Sequence, residues 1–259
     1  MRKLTILSLV VTLASLSLMA NAGDRQHEIQ LANKKSVSHD KAPAEIILVS
    51  KERAGVTNSN GTGLYWDIIR AVYAPVGVRP RFIIRSRVGS VDLDSNKKAD
   101  AVVGAYREDL EGVLFPNYPL AKENVLVVFK KEKLSQWEGI DSIQGKRVAW
   151  VKDFHFERYL GVPVNKQLFS AREHILKLLE NDQIDFFVDT QYELESALNS
   201  KRLDITNLTA EILMDMDLYL AFANSKKGSK LRDIFNTRFP KLVESGELEK
   251  LLVKWNSKL

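Results

Sequence analysis

Two short segments with one pattern, residues 98–104 and 183–189, limit the folds open to this chain. Each has a polar residue, a small or aliphatic residue, an aspartate (Asp100 or Asp185) and three apolar residues. Such short apolar runs are too brief for a helix and are typical of buried parallel strands. Because the pattern occurs in both halves of the chain, it indicates two similarly built lobes that each present a strand end. A chance match between such short segments is the alternative.

The remaining segments alternate in the way that is typical of an α/β protein. Residues 45–50 and 81–84 are predicted strands, and residues 65–73 between them form a predicted helix with one apolar face. The later predicted elements are strands over 124–130, 147–151 and 218–223, helices that begin at 157 and at the Ser-x-x-Glu sequence of 170–173, and helices over 231–242 and 248–255. We expect the strands over 124–130 and 218–223 to cross between the lobes as a hinge.

The first 22 residues have the features of a secretory signal peptide. A basic start precedes an apolar run over residues 4–19, and an Ala-x-Ala sequence ends at Ala22. The apolar run is shorter than the ~20 residues that span a bilayer, which favours cleavage over a membrane anchor. We therefore expect a soluble periplasmic protein in which residues 23–44 form a flexible, polar leader.

Composition excludes several kinds of chemistry. The chain has no cysteine, so disulfides, thiolate catalysis and cysteine metal sites are ruled out. Without residues 1–22, 36 basic residues stand against 33 acidic ones, and a net charge of +3 does not indicate nucleic-acid binding. His27 and His39 are too far apart to indicate a metal site. The glycines at 61 and 63 lack the third glycine of a dinucleotide-binding loop. We predict no cofactor and no metal.

Four motifs then occur in order along residues 45–257. They are Gly-Leu-Tyr-Trp-Asp-Ile at 63–68, the stretch from Asp100 through Gly104 and Arg107 to Tyr118, Ile-Gln-Gly-Lys-Arg-Val-Ala at 143–149, and Leu-Val-Glu-Ser-Gly-Glu-Leu at 242–248 followed by Lys254 and Trp255. With these four motifs in this order, the chain resembles the family-3 extracellular solute-binding proteins of bacterial ABC importers. The resemblance implies an α/β, two-lobed, type II periplasmic-binding fold, each lobe a sheet flanked by helices, with a two-crossover hinge. Lobe 1 would comprise residues 45–129 and 224–259, and lobe 2 residues 130–223.

The same resemblance implies a ligand site. In this family an arginine of lobe 1 binds the ligand carboxylate and an aspartate of lobe 2 binds its amino group, and these positions match Arg107 and Asp189. A guanidinium gives a bidentate, charge-assisted fork to a carboxylate. The further ligand-binding candidates are Tyr65, Ser86, Arg87, Tyr106, Asp153 and His155.

The chain departs from the family pattern at two places. The loop that ends in Arg107 lacks the usual threonines and is two residues shorter. The usual Ser-Gly-Thr-Thr of lobe 2 is replaced by Lys-Asp-Phe-His at 152–155, which adds an acid and a titratable group. A bulkier, cationic or aromatic ligand therefore fits the sequence as well as a plain α-amino acid. Two other interpretations are a surface role for Arg107 and a helix-capping role for Asp189.

The leading functional hypothesis is a non-catalytic binding protein for a small polar ligand, either an amino acid or a related amine or carboxylate. Its partners would be that ligand and the membrane permease of an ABC importer, and we expect a monomer that does not bind nucleic acid. The alternative is a ligand-sensing subunit for a membrane signalling receptor. A third hypothesis is an enzyme of the dehydratase type, in which His155 would do acid–base work with Asp153 and Asp189.

Overall fold

The computed structural model describes residues 42–85, 93, 99–133, 136–201 and 206–257, with the side chains of residues 200 and 201 left out. Nine strands lie in these ranges: β1 (Glu45–Ser50), β2 (Arg79–Ile84), β3 (Ala101–Ala105), β4 (Val113–Leu114), β5 (Ala121–Lys130), β6 (Arg147–Val151), β7 (Asn165–Phe169), β8 (Phe186–Thr190) and β9 (Leu208–Ala223). The α-helices there are α1 (Leu64–Tyr73), α2 (Arg172–Glu180), α3 (Gln191–Lys201), α4 (Lys226–Glu244) and α5 (Glu247–Lys254). The predicted signal peptide and nearly all of the predicted leader lie outside the described residues.

The strands pair in the order β2-β1-β3-β9-β5-β8-β6-β7, and β4 also pairs with β9. Strand β1 is parallel to β2 and β3, and β6 is parallel to β7 and β8. Strand β9 is shared, because its residues 208–218 pair with β5 and its residues 219–223 pair with β3 and β4. We call β1–β4 with the end of β9 the first sheet, and β5–β8 with the start of β9 the second sheet.

The repeated sequence pattern has the same structural role in both sheets. The backbone N–H of Ile47 in β1 donates to the Asp100 carboxylate at 2.7 Å, and that of Arg147 in β6 donates to the Asp185 carboxylate at 2.9 Å. The backbone N–H of Asp100 in turn donates to the Ile47 carbonyl at 2.7 Å, and that of Asp185 donates to the Arg147 carbonyl at 2.9 Å. Each aspartate therefore fixes the start of a central strand against its parallel neighbour, which explains why the pattern occurs twice.

Helix α1 is placed by a close backbone approach at its start. Gly63 has φ 133°, and a Cβ there would lie 2.3 Å from the Val56 carbonyl oxygen, so a side chain is excluded at this position. Seven residues of α1 are buried, Trp66 among them. The C-terminal helices pack against α1, where Tyr73 donates to the Leu231 carbonyl at 2.9 Å. The C-terminal helices therefore lie beside the first sheet.

Several predicted elements differ from the structure. The helix predicted from 157 is a single 3₁₀ turn, Phe156–Arg158, and the Ser-x-x-Glu sequence does not cap α2, whose N-cap is Ala171. Helix α2 begins one residue too late for Ser170 to act as the cap. The strand predicted over 218–223 begins at Leu208, and β7 was not predicted. Both missed segments mix polar and apolar residues and are largely half-exposed or exposed, and they become strands through pairing with β5 and β6.

The buried side chains pack on both faces of the sheets. The largest fully buried ones include Trp66 on α1, Trp150 on β6 and Phe235 on α4. Within the described ranges, no helix combines the length and the apolar character that crossing a bilayer requires. The elements of both sheets thus form a packed α/β core.

Asp67 of α1 offers a test of how the C-terminal helix is held. Its carboxylate accepts hydrogen bonds from Lys254 Nζ at 2.7 Å and Trp255 Nε1 at 2.9 Å. We expect Asp67→Asn to lower the free energy of unfolding by about 1–2 kcal/mol in urea titrations, since the charge-assisted hydrogen bonds from Lys254, Trp255 and Arg70 are weakened. Asp233→Asn, which removes an exposed ion pair with Arg232, should cost less than about 0.5 kcal/mol.

The Asp67 effect should depend on pH. Burial raises the pKa of this carboxyl, but the hydrogen bonds from Lys254 and Trp255 outweigh burial and hold the pKa below its usual value. The ionised group therefore stabilises the fold at neutral pH, and this contribution is lost as the pH falls through the folded-state pKa. The difference between the parent protein and Asp67→Asn should shrink below about pH 4. A difference that stays constant with pH would contradict this account.

Candidate functional site

A cavity of about 150 Å³ lies where four strand ends meet. Its walls come from the carboxyl ends of β1, β3, β6 and β8 or from the loops and the helix that follow them, and from Tyr65, Glu123 and Leu218. In α/β folds, ligands bind outside the carboxyl ends of parallel strands. The cavity is therefore the candidate site, and both sheets contribute to it.

A buried ion pair lies at the cavity. Glu123, on β5, is only 9% exposed and accepts hydrogen bonds from Arg53 Nη2 and, at 2.6 Å, from the Tyr106 hydroxyl. The Arg53 guanidinium lies 4.0 Å from the centre of the Tyr192 ring. Burial lowers the pKa of Arg53, but Glu123 outweighs burial and the pKa is raised. The Arg53 guanidinium is therefore charged, and the Glu123 carboxyl group lies against it.

Arg53 and Glu123 were missed by the sequence analysis. Arg53 lies at the start of a turn-rich loop, and Glu123 directly precedes the predicted strand over 124–130. The signal that the sequence offered was a charged residue beside a predicted strand: Arg53 follows the strand over 45–50, and Glu123 precedes the strand over 124–130. Nothing in the local pattern linked them, because they are 70 residues apart in the chain.

Tyr65 presents a polar atom to the cavity. Tyr65 is 7% exposed and is one of the residues that line the cavity. Burial raises the pKa of Tyr65 to about 12, so the hydroxyl is protonated at neutral pH and can donate or accept. The ring is positioned by the start of α1, where the Tyr65 N–H donates to the Val56 carbonyl at 3.1 Å. Tyr65 and Tyr106, both predicted site residues, thus lie together in the cavity wall.

Asp189 lies inside the second sheet and carries its own counter-ion. The side chain is fully buried, and its carboxylate accepts from Arg172 Nε at 2.5 Å and from the Thr190 N–H at 2.9 Å. Burial raises the pKa of Asp189 to about 6, although Arg172 opposes the shift. Thr190 and Glu193 line the cavity, whereas Asp189 is not among the described lining residues. Its role as a ligand-binding residue stays a prediction.

Arg107 is exposed on the loop after β3. Its guanidinium donates to the Pro116 carbonyl at 2.7 Å and lies 4.4 Å from the centre of the Tyr219 ring. Arg107 is likewise absent from the described residues that line the cavity. Carboxylate binding by this residue also stays a prediction.

The remaining predicted site residues fall into three groups. Asp153 is exposed and lines the cavity. His155 is half-exposed and lies 4.0 Å from Glu157, and no hydrogen bond or ion pair between described residues joins it to Asp153 or Asp189. Ser86 and Arg87 lie outside the described residues. Across the ranges that the structure covers, no group of three or more His, Cys, Asp or Glu side chains is placed to hold a metal ion.

Contacts between the two sheets flank the cavity. On one side the Ala54 N–H, in the loop after β1, donates to the Tyr192 hydroxyl of α3 at 2.6 Å. On the other side Arg158 donates to the Glu108 carbonyl, and the Tyr159 hydroxyl lies 3.3 Å from the Asp109 carboxylate. The loops that follow β1 and β3 thus each form hydrogen bonds with residues that follow strands of the second sheet.

Comparison with known proteins identifies the fold of this chain. No model of a known protein family matches the sequence, and no curated protein does. The chain is similar to the solved structure of the P235GK mutant of ArgBP from T. maritima, with 17% identity, a TM-score of 0.55, and coverage of 83% of this chain and 96% of that one. It is also similar to the GluR0 ligand-binding core in complex with L-glutamate, with 13% identity, a TM-score of 0.60, and coverage of 82% and 98%.

A third similar structure is an ancestral arginine-binding protein bound to arginine, with 16% identity, a TM-score of 0.57, and coverage of 82% of this chain and 98% of that one. The chain has the two-lobed fold of periplasmic binding proteins. The fold class predicted from the sequence is confirmed. The similar structures are binding proteins rather than enzymes. At these identities the comparison establishes the fold, and the ligand has to be argued from the cavity itself.

The Arg172–Asp189 pair offers a test of what holds the second lobe. We expect Arg172→Met to lower the free energy of unfolding by about 3–5 kcal/mol at pH 7 in urea titrations, because it leaves a buried carboxylate unpaired. The loss should be smaller at pH 5, since a carboxyl with a raised pKa is then protonated in the folded state. Arg172→Met combined with Asp189→Asn should recover much of the stability.

The matched control for this pair is Arg232→Met, which removes an arginine from an exposed pair with Asp233. It should cost less than about 1 kcal/mol. If Arg172→Met costs no more than the control, or if the double variant recovers nothing, the buried pair does not have the assigned structural role.

Proposed function

We propose that this protein is a periplasmic solute-binding protein that captures a small polar ligand between its lobes and delivers it to the permease of an ABC importer. The observation that carries the proposal is the cavity, to which strand ends of both sheets contribute. In a two-lobed protein, a ligand that contacts both lobes favours the closed arrangement, because it binds that arrangement better. Such a cavity suits capture and release rather than a chemical step.

The ligand class follows from the similar structures and from the cavity together. The similar proteins are named as arginine-binding or as complexes with arginine or L-glutamate. The polar groups at the cavity here, the Tyr65 hydroxyl and the Arg53–Glu123 pair, suit a small ligand with hydrogen-bonding groups. We therefore propose an amino acid or a related amine or carboxylate, bound without catalysis.

The proposal includes the cellular setting and the lobe boundaries. Export through the signal peptide over residues 1–22 would place the mature protein in the periplasm. Lobe 1 would comprise residues 45–129 and 224–259, and lobe 2 residues 130–223, with β5 and β9 as the crossovers. The protein would act as a monomer, and each molecule would deliver its ligand to the permease on its own.

A thermal-shift screen tests the function. Purified protein is heated with a library of amino acids, amines and small carboxylates. A ligand at a hundredfold excess over its Kd stabilises the native state by about 2.7 kcal/mol, which gives a measurable rise in Tm. If no member of the library raises the Tm, the proposed function is wrong.

The Tyr65 hydroxyl offers a sharper test with the best ligand from that screen. We expect Tyr65→Phe to weaken binding about 5–10-fold by isothermal titration calorimetry, because one hydrogen bond of about 1 kcal/mol is lost. The control is Tyr118→Phe, which alters a half-exposed tyrosine whose ring packs against Phe239. Equal affinities for the two variants would place the ligand outside this cavity.

A further inference from the structure

A second cavity, of about 170 Å³, lies at the opposite end of the second sheet from the candidate site. Its walls come from the carboxyl end of β5, from residues at the amino ends of β6 and β8, and from the last turn of α2 and the residues after it. The candidate site lies at the carboxyl ends of β6 and β8, and among the described residues the two cavities have no lining residue in common. The proposed function gives this second cavity no role.

The apolar part of the lining is preformed. Phe129, Leu179, Ile184 and Phe186 line the cavity, and each is at most 4% exposed. The ring centres of Phe129 and Phe186 lie 5.6 Å apart, and both rings lie beside Trp137. Side chains that are already packed do not have to be ordered when a ligand enters, which lowers the free-energy cost of binding. Since a cavity of about 150 Å³ lined by Leu, Ile and Phe holds a benzene molecule, an apolar group the size of one aromatic ring fits this volume.

The charged part of the lining has an excess of positive charge. It consists of three lysines and two aspartates: Lys130, Lys133, Lys146, Asp182 and Asp185. One of the two acids is already neutralised by a residue outside the lining, because the Asp185 carboxylate accepts from Arg147 Nη2 at 2.6 Å and from Arg147 Nε at 3.1 Å. Three lysines therefore stand against one remaining carboxylate, that of Asp182.

Asp182 is shared by two of these lysines. Its Oδ1 atom lies 3.0 Å from Lys130 Nζ and 3.2 Å from Lys133 Nζ, and both ammonium groups lower the pKa of its carboxyl. The Lys130 side chain is only 14% exposed, so its charge is largely removed from water while it shares its acceptor. Lys146 is exposed, and its ammonium forms no hydrogen bond or ion pair with a described residue. An anionic group at this rim would complete the charge compensation.

From these observations we propose a second binding site, for a small aromatic carboxylate, whose ring occupies the apolar part of the cavity and whose carboxylate binds Lys146 and Lys133 at the rim. A neutral ring would leave the lysines uncompensated, and a small inorganic anion would leave the apolar part in contact with water. The site does not depend on the proposed function, because it lies at the other end of β6 and β8 from the candidate site.

A titration followed by NMR tests the site. Benzoate and phenylacetate are added to the full mature chain labelled with ¹⁵N, with acetate, benzamide and inorganic phosphate as separate probes. The backbone amide shifts should be largest at residues 146 and 184–186 and small at residues 104–105 of the candidate site. At least one aromatic carboxylate should have a Kd at least about tenfold lower than each of the other three probes. That Kd should rise with added NaCl, because salt screens the attraction to the lysines.

A lysine variant locates the carboxylate. Lys146→Gln should raise the Kd of the better aromatic carboxylate about 5–10-fold, because one charge-assisted hydrogen bond is lost. The matched control is Lys250→Gln, which alters an exposed lysine of α5 that is absent from the described lining of either cavity and should leave the Kd unchanged. Both side chains are exposed, so both variants should keep the fold, which the amide spectrum checks.

Three results would overturn this inference. They are an unchanged Kd for Lys146→Gln, equal binding of acetate, benzamide or phosphate, and the absence of saturable binding by both aromatic carboxylates. Shifts confined to residues 104–105 would also overturn it, and would instead support ligand binding at the candidate site. The proposed function is tested separately by its own screen, so either can fail without the other.

Discussion

The antiparallel pairing of β5 with β9 holds the two halves of this molecule together. Ten residue pairs join the strands along their length, and β9 then continues past Leu218 to pair with β3. Because β9 belongs to both sheets, the two sheets are joined by paired backbone, with a shift of register between Val125 and Leu126. The carboxyl ends of the parallel strands then face a common cavity. The candidate site is a consequence of this arrangement.

Charge compensation decides which groups remain for a ligand. The two most buried carboxylates near the cavity, Glu123 and Asp189, are each bound to an arginine of the chain. A buried carboxylate without such a partner would be costly, so these pairs support the fold and leave little net charge for recognition. Under the proposed function, ligand contacts would come from other residues that line the cavity, such as Asp153 and Tyr65.

The order of elements was largely predictable because it follows from local patterns. The apolar triplets after Asp100 and Asp185 indicated parallel strands, and the apolar face over residues 65–73 indicated α1. The segments that became β7 and the start of β9 were missed, since they mix polar and apolar residues without a clear strand pattern and form strands by pairing with a neighbour. In the site, Tyr65, Tyr106 and Asp153 were predicted and line the cavity, whereas Arg53 and Glu123 were missed.

The sequence by itself determined the two-lobed α/β plan. Short apolar strands, a helix with one apolar face and the paired aspartates are local patterns, and buried backbone must complete its hydrogen bonds in whichever element the pattern favours. Only the tertiary structure decided which charged groups are bound to each other and which face the cavity. Arg53 meets Glu123 across 70 residues of chain, and Arg172 meets Asp189 across 17. Such pairings depend on distances in three dimensions and on the free-energy cost of burying charge. The spacing of residues along the chain specifies neither of these.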